Sequence, residues 1–167
     1  MKIILLRRKL LVVLACALAA AAMFYVVNYP EAVSASASNR QLPIYCVQRD
    51  QKMLSISFDA AWGNEDTQQL IDILGKYQIK ATFFVVGEWV DKYPESVLAL
   101  HEAGHEIMNH SNTHAHMSQL SREEIIADVE ACNDKIEAVT GVRPTLIRPP
   151  YGEYDNNVIT AIRSIGM

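Results

Sequence analysis

Cysteine is scarce, with three residues in 167, and none stands at a spacing that builds a zinc knuckle. Cys16 falls in an apolar run, Cys46 precedes the first expected strand, and Cys132 lies on the apolar stripe of an expected helix. A Cys46–Cys132 disulfide is compatible with an exported domain, but nothing in the spacing demands it. Excess positive charge is missing too: 15 basic against 19 acidic side chains give a formal charge of −4. Without a basic field to hold a phosphate backbone, nucleic acid is not an expected partner. Internal repeats are absent, and the only low-complexity tract is the Ala/Ser stretch at 34–38.

What is present begins with Lys2, Arg7, Arg8 and Lys9 ahead of an uninterrupted apolar run from Leu10 to Val27. Basic residues stay on the cytoplasmic side, so the remainder is expected outside. Eighteen residues exceed a signal-peptide core of roughly 7–15 and approach the roughly 20 that span a bilayer, so length favours an anchor. Val33-Ser34-Ala35 and Ala35-Ser36-Ala37 nevertheless offer small residues at a peptidase spacing, and a leader cut near Ala35 or Ala37 stays open. Residues 1–37 are read as a basic tip, a transmembrane or signal helix and a linker, and residues 38–167 as one domain.

That domain alternates. Met53–Phe58 reads as a strand, and Asn64 as the N-cap of a helix carrying Leu70, Ile71, Leu74 and Tyr77. Ala81–Val86 is a continuous apolar run of the kind covered on both faces. A helix over 94–103, stopped by Gly104, leads to a strand at Glu106–Asn109. Ser121 and Glu124 form a capping box for a helix with Ile125, Val129, Cys132, Ile136 and Val139 on one stripe, closed by Gly141. A fourth strand at Thr145–Arg148 and a helix from Asn156 to Ile165 complete βαβαβαβα. This order implies an α/β fold with parallel strands and right-handed crossovers. Parallel barrels take roughly 200 residues or more, so the chain is expected to hold part of one.

Chemistry gathers where these strands run out. Asp59 follows the first strand, His110 and His114 follow the third, and Arg148 precedes Pro149 and Pro150 at the end of the fourth. Parallel strands present their C-terminal ends together, so an acid, two imidazoles and a guanidinium are expected at one site. Two histidines four positions apart on a turn can face one divalent ion, and Arg148 near Asp59 would keep that carboxylate ionised and oriented. Tyr151 and Gly152 offer backbone N–H groups toward an oxyanion. Trp62 and Trp89 are read as packing residues first, Trp62 standing closer to a sugar-stacking role because it neighbours Asp59. His101-Glu102-Ala103-Gly104-His105 matches the H-E-x-x-H pattern of zinc peptidases, but that chemistry needs a helix running through Gly104.

Phe58-Asp59, Gly104-His105-Glu106-Ile107, His110-Ser111-x-x-His114 and Arg148-Pro149-Pro150-Tyr151-Gly152 together resemble the polysaccharide deacetylase family with the NodB homology domain. The leader and Ser57-Phe58-Asp59-Ala60-Ala61-Trp62-Gly63 are most similar to its sporulation-associated, membrane-anchored members. The resemblance implies a distorted (β/α) barrel and removal of N-acetyl groups from N-acetylglucosamine-containing polymers such as peptidoglycan or chitin. It implies Asp59 as base, Arg148 as its orienting partner, the Tyr151 N–H at the oxyanion, and His110 and His114 as ligands of zinc or a similar divalent metal. It also implies an acidic third ligand directly after the base. That position is Ala60, so a weakly held metal is expected unless Glu65 or Asp66 reaches in. The family's later motifs, with the histidine that protonates the leaving amine, have no counterpart before Met167, and from this the chain is expected to be C-terminally incomplete. The alternative to an enzyme is a catalytically impaired glycan-binding or sporulation-assembly protein.

Overall fold

The computed structural model describes residues 2–28 and 40–167, which fall into two compact units dividing between Arg40 and Gln41. The first contains helix α1 (Lys2–Asn28). Its segment Leu11–Asn28 is long and apolar enough to cross a membrane, with none of it buried. The small-residue sites at 33–37 lie outside the described residues.

The second unit is built on strands β1 (Ser57–Ala60), β2 (Thr82–Val85) and β3 (Glu106–Asn109), parallel and adjacent in the order β1-β2-β3. Helix α2 (Thr67–Lys76) connects the first two strands; α3 (Gly87–Lys92) and α4 (Pro94–Glu102) connect the second and third; α5 (Arg122–Thr140) and α6 (Asn156–Ser164) follow. The pairing sets Phe58 beside Phe83 and Ile107, and Asp59 beside Phe84 and Met108. Side chains alternate across a sheet. Phe58, Phe83, Val85 and Ile107 therefore turn to one face, where they pack with Leu74, Trp89, Val97, Leu100, Cys132 and Ile136. Ser57, Asp59 and Phe84 turn to the other. Phe83 to Val85 are buried on both faces of β2, under the helices on the first and beneath Arg148 on the second, so the strand interior shows no polar alternate.

A second cluster of Met117, Ile125, Val129, Val158, Ala161 and Ile162 joins α5 to α6. Both helices start on side-chain caps. Ser121 and Glu124 make the reciprocal capping box, Gly141 closes α5 at φ 74°, and Asp155 accepts from the Val158 N–H at 2.8 Å.

Three expectations shift. The first strand begins at Ser57 rather than Met53, because Met53 and Leu54 stand exposed with no strand beside them and pairing starts where the Ile56 carbonyl accepts from Thr82. Asp59 consequently lies within β1 and not beyond it. The fourth strand shrinks to one bridge, Asn109 to Ile147, since Pro144 and Pro149 bracket the segment and leave little backbone to pair. Asn64 is not an N-cap: α2 starts three residues later, and the Asn64 amide donates to Ser96 Oγ at 3.0 Å. The short helix α3 carries no cap that sequence would reveal, its N-cap being Val86. Cys132 is fully buried while Cys46 is exposed, and both are free thiols; burial pushes the Cys132 thiol up to about 12, which makes it unreactive.

Candidate active site

Arg148 is the hub. Its guanidinium donates to Asp59 Oδ1 at 2.6 Å and to Ser57 Oγ at 2.6 Å, two residues that share a face of β1 by strand alternation. The same group lies 4.2 Å over the ring of Phe84, the residue paired with Asp59 on β2. Phe84 thus forms an apolar floor beneath the ion pair. Asp59 and Arg148 side chains keep 42% and 38% of their exposure, so solvent screens the pair and its value lies in orientation more than in stability.

The backbone of Arg148 reaches the other half of the site. Its carbonyl lies 2.6 Å from His110 Nδ1, which assigns the proton to Nδ1 and leaves Nε2 with a lone pair. His110 is buried, and burial lowers its pKa against the opposing pull of that carbonyl and of Asp59, so the ring is neutral at pH 7.

Beneath His110 sits Asn109, fully buried, whose Nδ2 donates to the Val129 carbonyl at 2.9 Å and to Asn133 Oδ1 at 2.8 Å while its Oδ1 accepts from the Ser111 N–H at 2.7 Å. Ser111 Oγ accepts from Thr113 and Ala115, and Asp128 on α5 accepts from the Asn112 and Thr113 N–H groups and from Thr113 Oγ1. Wrapped in this way, the loop turns through left-handed backbone at Ser111 (φ 73°) and His114 (φ 56°). The turn brings the His114 ring to 5.1 Å from that of His110, centroid to centroid. A tight loop, not a helical turn, gathers the two imidazoles. Sequence reading missed Asn109 and Asp128 as supports. Asp128 gives no signal, since it is one of several acids on a helix, whereas an Asn at the end of a short strand is a polar residue whose burial calls for partners.

Tyr151 also adopts left-handed backbone, at φ 59°. Its ring meets the His114 edge at 4.7 Å and stacks on His116 at 4.1 Å with planes 8° apart. His116 in turn pairs with Glu153 at 3.0 Å, a carboxylate that also accepts from Ser118 Oγ. The His116 bond holds the Glu153 carboxyl below its ordinary value. Trp62 lies on the far side of β1's end, with its ring 5.2 Å from that of His114.

The structure therefore brings Asp59 to Arg148, Arg148 to His110, His110 to His114, and His114 to Tyr151. The position after Asp59 carries only the Ala60 methyl, packed against the main core. Glu65 does not substitute: its carboxylate accepts from the Asn64 N–H at 3.0 Å. Asp66 occupies the N-cap of α2. Among the described residues, no three His, Cys, Asp or Glu side chains gather where they could share a metal ion. His101 and His105 are separated by the end of α4, with Gly104 at φ 84°, and His105 is buried with Nδ1 accepting from the Ala81 N–H. They cannot form the peptidase pair, which requires one continuous helix.

The polysaccharide deacetylase family model matches residues 47–167. Curated relatives include an uncharacterized protein, YlxY, of Bacillus subtilis (strain 168), 38% identical over 117 residues that cover 70% of this chain and 37% of the relative. The peptidoglycan-N-acetylmuramic acid deacetylase PdaC of the same organism is 41% identical over 106 residues, covering 64% of this chain and 23% of that protein. The chain thus spans well under half the length of these relatives. Among solved structures, BA3943 of Bacillus anthracis, a CE4 family pseudoenzyme, superposes with a TM-score of 0.72 at 34% identity, covering 75% of this chain and 45% of that one. A mutant of BA3943 with restored enzymatic activity superposes equally well, at 36% identity and covering 75% and 46%.

Proposed function

The chain belongs to the polysaccharide deacetylase family, and from that premise we propose that it hydrolyses N-acetyl groups of a cell-wall polysaccharide built on N-acetylglucosamine, peptidoglycan or a chitin-like polymer. The observation that carries this reading is the double role of Arg148, which fixes Asp59 through its side chain and His110 through its carbonyl. Asp59, oriented by the guanidinium, accepts a proton from the attacking water. The water oxygen bonds to the acetamide carbon, the C–N bond breaks as the departing nitrogen takes up the proton that Asp59 removed, and acetate and a free amine result. The Tyr151 backbone N–H, presented from a left-handed turn, faces the oxyanion.

His110 and His114 would hold a divalent metal, zinc by the chemistry of two imidazole donors, and the tautomer fixed on His110 fits that task. Such an ion, when bound, polarises the acetyl carbonyl and acidifies water. With Ala60 in place of a third donor, its hold is loose. Helix α1 supplies a membrane anchor with the N-terminus cytoplasmic and the domain outside; removal of residues up to about 37 would instead release it. Sporulation is the setting in keeping with the sequence resemblance.

Ala60 favours a second reading, a glycan-binding protein with little turnover. Acetate release by the full chain from N-acetylglucosamine oligomers, with and without added zinc, separates the two. Zinc-stimulated release that disappears in Asp59→Asn supports the hydrolase. Oligomer binding without release supports the second reading, and neither binding nor release overturns both.

A further inference from the structure

Trp62 is 82% exposed, although tryptophan is a residue that folded chains mostly bury. A single exposed apolar side chain on a loose loop would mean nothing, but this loop is fastened on either side of it. Ala61 packs against the main core. The Gly63 carbonyl accepts from the indole N–H of buried Trp89 at 2.5 Å, and Asn64 is tied to Ser96. Gly63 itself sits at φ 63°, left-handed backbone that other residues adopt only under strain, so the turn favours glycine. The backbone is thus held so that the Trp62 ring alone projects, already in place before any ligand arrives.

The ring borders the site at His114. It follows Asp59 by three residues and lies 5.2 Å from the His114 ring. Tyr151, 59% exposed, touches the same imidazole. Two exposed aromatics therefore flank a surface site at His114, whose ring neighbours His110 and, through Arg148, the ion pair with Asp59. A ligand suited to it needs an apolar face and a polar edge. β-Linked N-acetylglucosamine has this form: its substituents are equatorial, so the ring faces show C–H bonds while hydroxyls and the acetamide project from the rim.

We propose that Trp62 is a substrate-binding platform, stacking on the face of an N-acetylglucosamine ring and setting the position of its acetamide relative to Asp59. This rests on the glycan-directed reading above and adds to it the residue that supplies the affinity. Burial of an aromatic face against a sugar, lost on truncation to alanine, is expected to weaken binding at least tenfold, whereas phenylalanine keeps a flat apolar surface.

The test is titration of the full chain in detergent micelles with the N-acetylglucosamine tetramer, followed by calorimetry and by tryptophan emission, for the wild type, Trp62→Ala and Trp62→Phe. Buried Trp89 provides the emission that reports an intact fold. Expected are binding by the wild type with a change in emission, a loss of at least tenfold in Trp62→Ala, and retention within about threefold in Trp62→Phe with the emission change gone. Wild-type binding matched within twofold by Trp62→Ala would overturn the platform and leave the glycan-directed reading standing. Absence of binding by the folded wild type would overturn both.

Discussion

Replacing Asn109 by alanine should cost far more than a surface truncation and as much as the loss of a large core side chain. The side chain is fully buried and makes three hydrogen bonds, two donated and one accepted. Its loss leaves the buried Ser111 N–H and Asn133 Oδ1 without those partners, at about 1–3 kcal/mol for each orphaned group, while the Val129 carbonyl lies in the interior of α5 and keeps its helical bond. With a small cavity added, the total comes to about 3–5 kcal/mol. Stability of a domain this size is about 5–15 kcal/mol, so the variant should be folded but fragile. Urea unfolding of the full chain in micelles, read by circular dichroism, is the assay, and at roughly 1–3 kcal/mol per molar the midpoint should fall by more than about 1 M. Asn133→Ala should cost less, about 1–2 kcal/mol, since Asn109 keeps the Val129 carbonyl, and the double variant should show coupling of about 1 kcal/mol. Asn109→Asp should fare no better than alanine, because it keeps the acceptor for Ser111 but loses both donors and buries a charge. A loss under about 1 kcal/mol with a strictly additive cycle would refute the claim that this amide braces the histidine loop.

His105 is buried, and burial, aided by the Lys80 charge, lowers its pKa below the ordinary 6.5. The unfolded chain therefore takes up a proton before the folded one does, and stability present above about pH 6.5 is lost as pH falls toward the depressed folded value; His105→Gln should flatten that part of a stability-versus-pH curve, and an unchanged slope would sink the assignment. Ala60→Asp should raise zinc affinity at least tenfold, measured by competition with a chromogenic chelator, and lower the melting temperature without zinc because the Ala60 methyl packs on the core; equal affinity before and after would mean that position 60 does not face the ion. Ser121→Ala should remove about 1 kcal/mol by opening the capping box on α5, seen as a shift in the thermal midpoint, whereas no shift would show that the fold does not depend on that cap.

Sequence carried the alternation of elements well because the signals are local. The capping box at Ser121 and Glu124, the glycine stop at Gly141 and the apolar run at 81–86 each act within a few residues, and α5 and β2 stand where they predict. Signals failed where the deciding contact is distant. Met53 and Leu54 look like strand residues but find no neighbouring strand, and Ile147 pairs only at Asn109 because two prolines close off its segment. The residue types at the site were legible from strand ends, yet their supports were not. Asp128 reads as an ordinary helix acid until the loop that it caps is folded against it. His114 gives no hint of its left-handed backbone, which follows from the bonds of Ser111 and Asp128 rather than from any glycine.

Adjacent strands in chain order also have a kinetic meaning. β1 pairs with β2 and β2 with β3, so each of these pairings closes over one helical crossover instead of reaching across the chain. The Arg148 to Asp59 pair spans 89 positions. Its ends meet only once the intervening strands have been laid down between them, so the ion pair closes after the scaffold and not with it. A chain halted short of Arg148 would hold the Asp59 carboxylate without its guanidinium partner and His110 without the carbonyl beside Nδ1, so the two halves of the site are joined only when that segment docks.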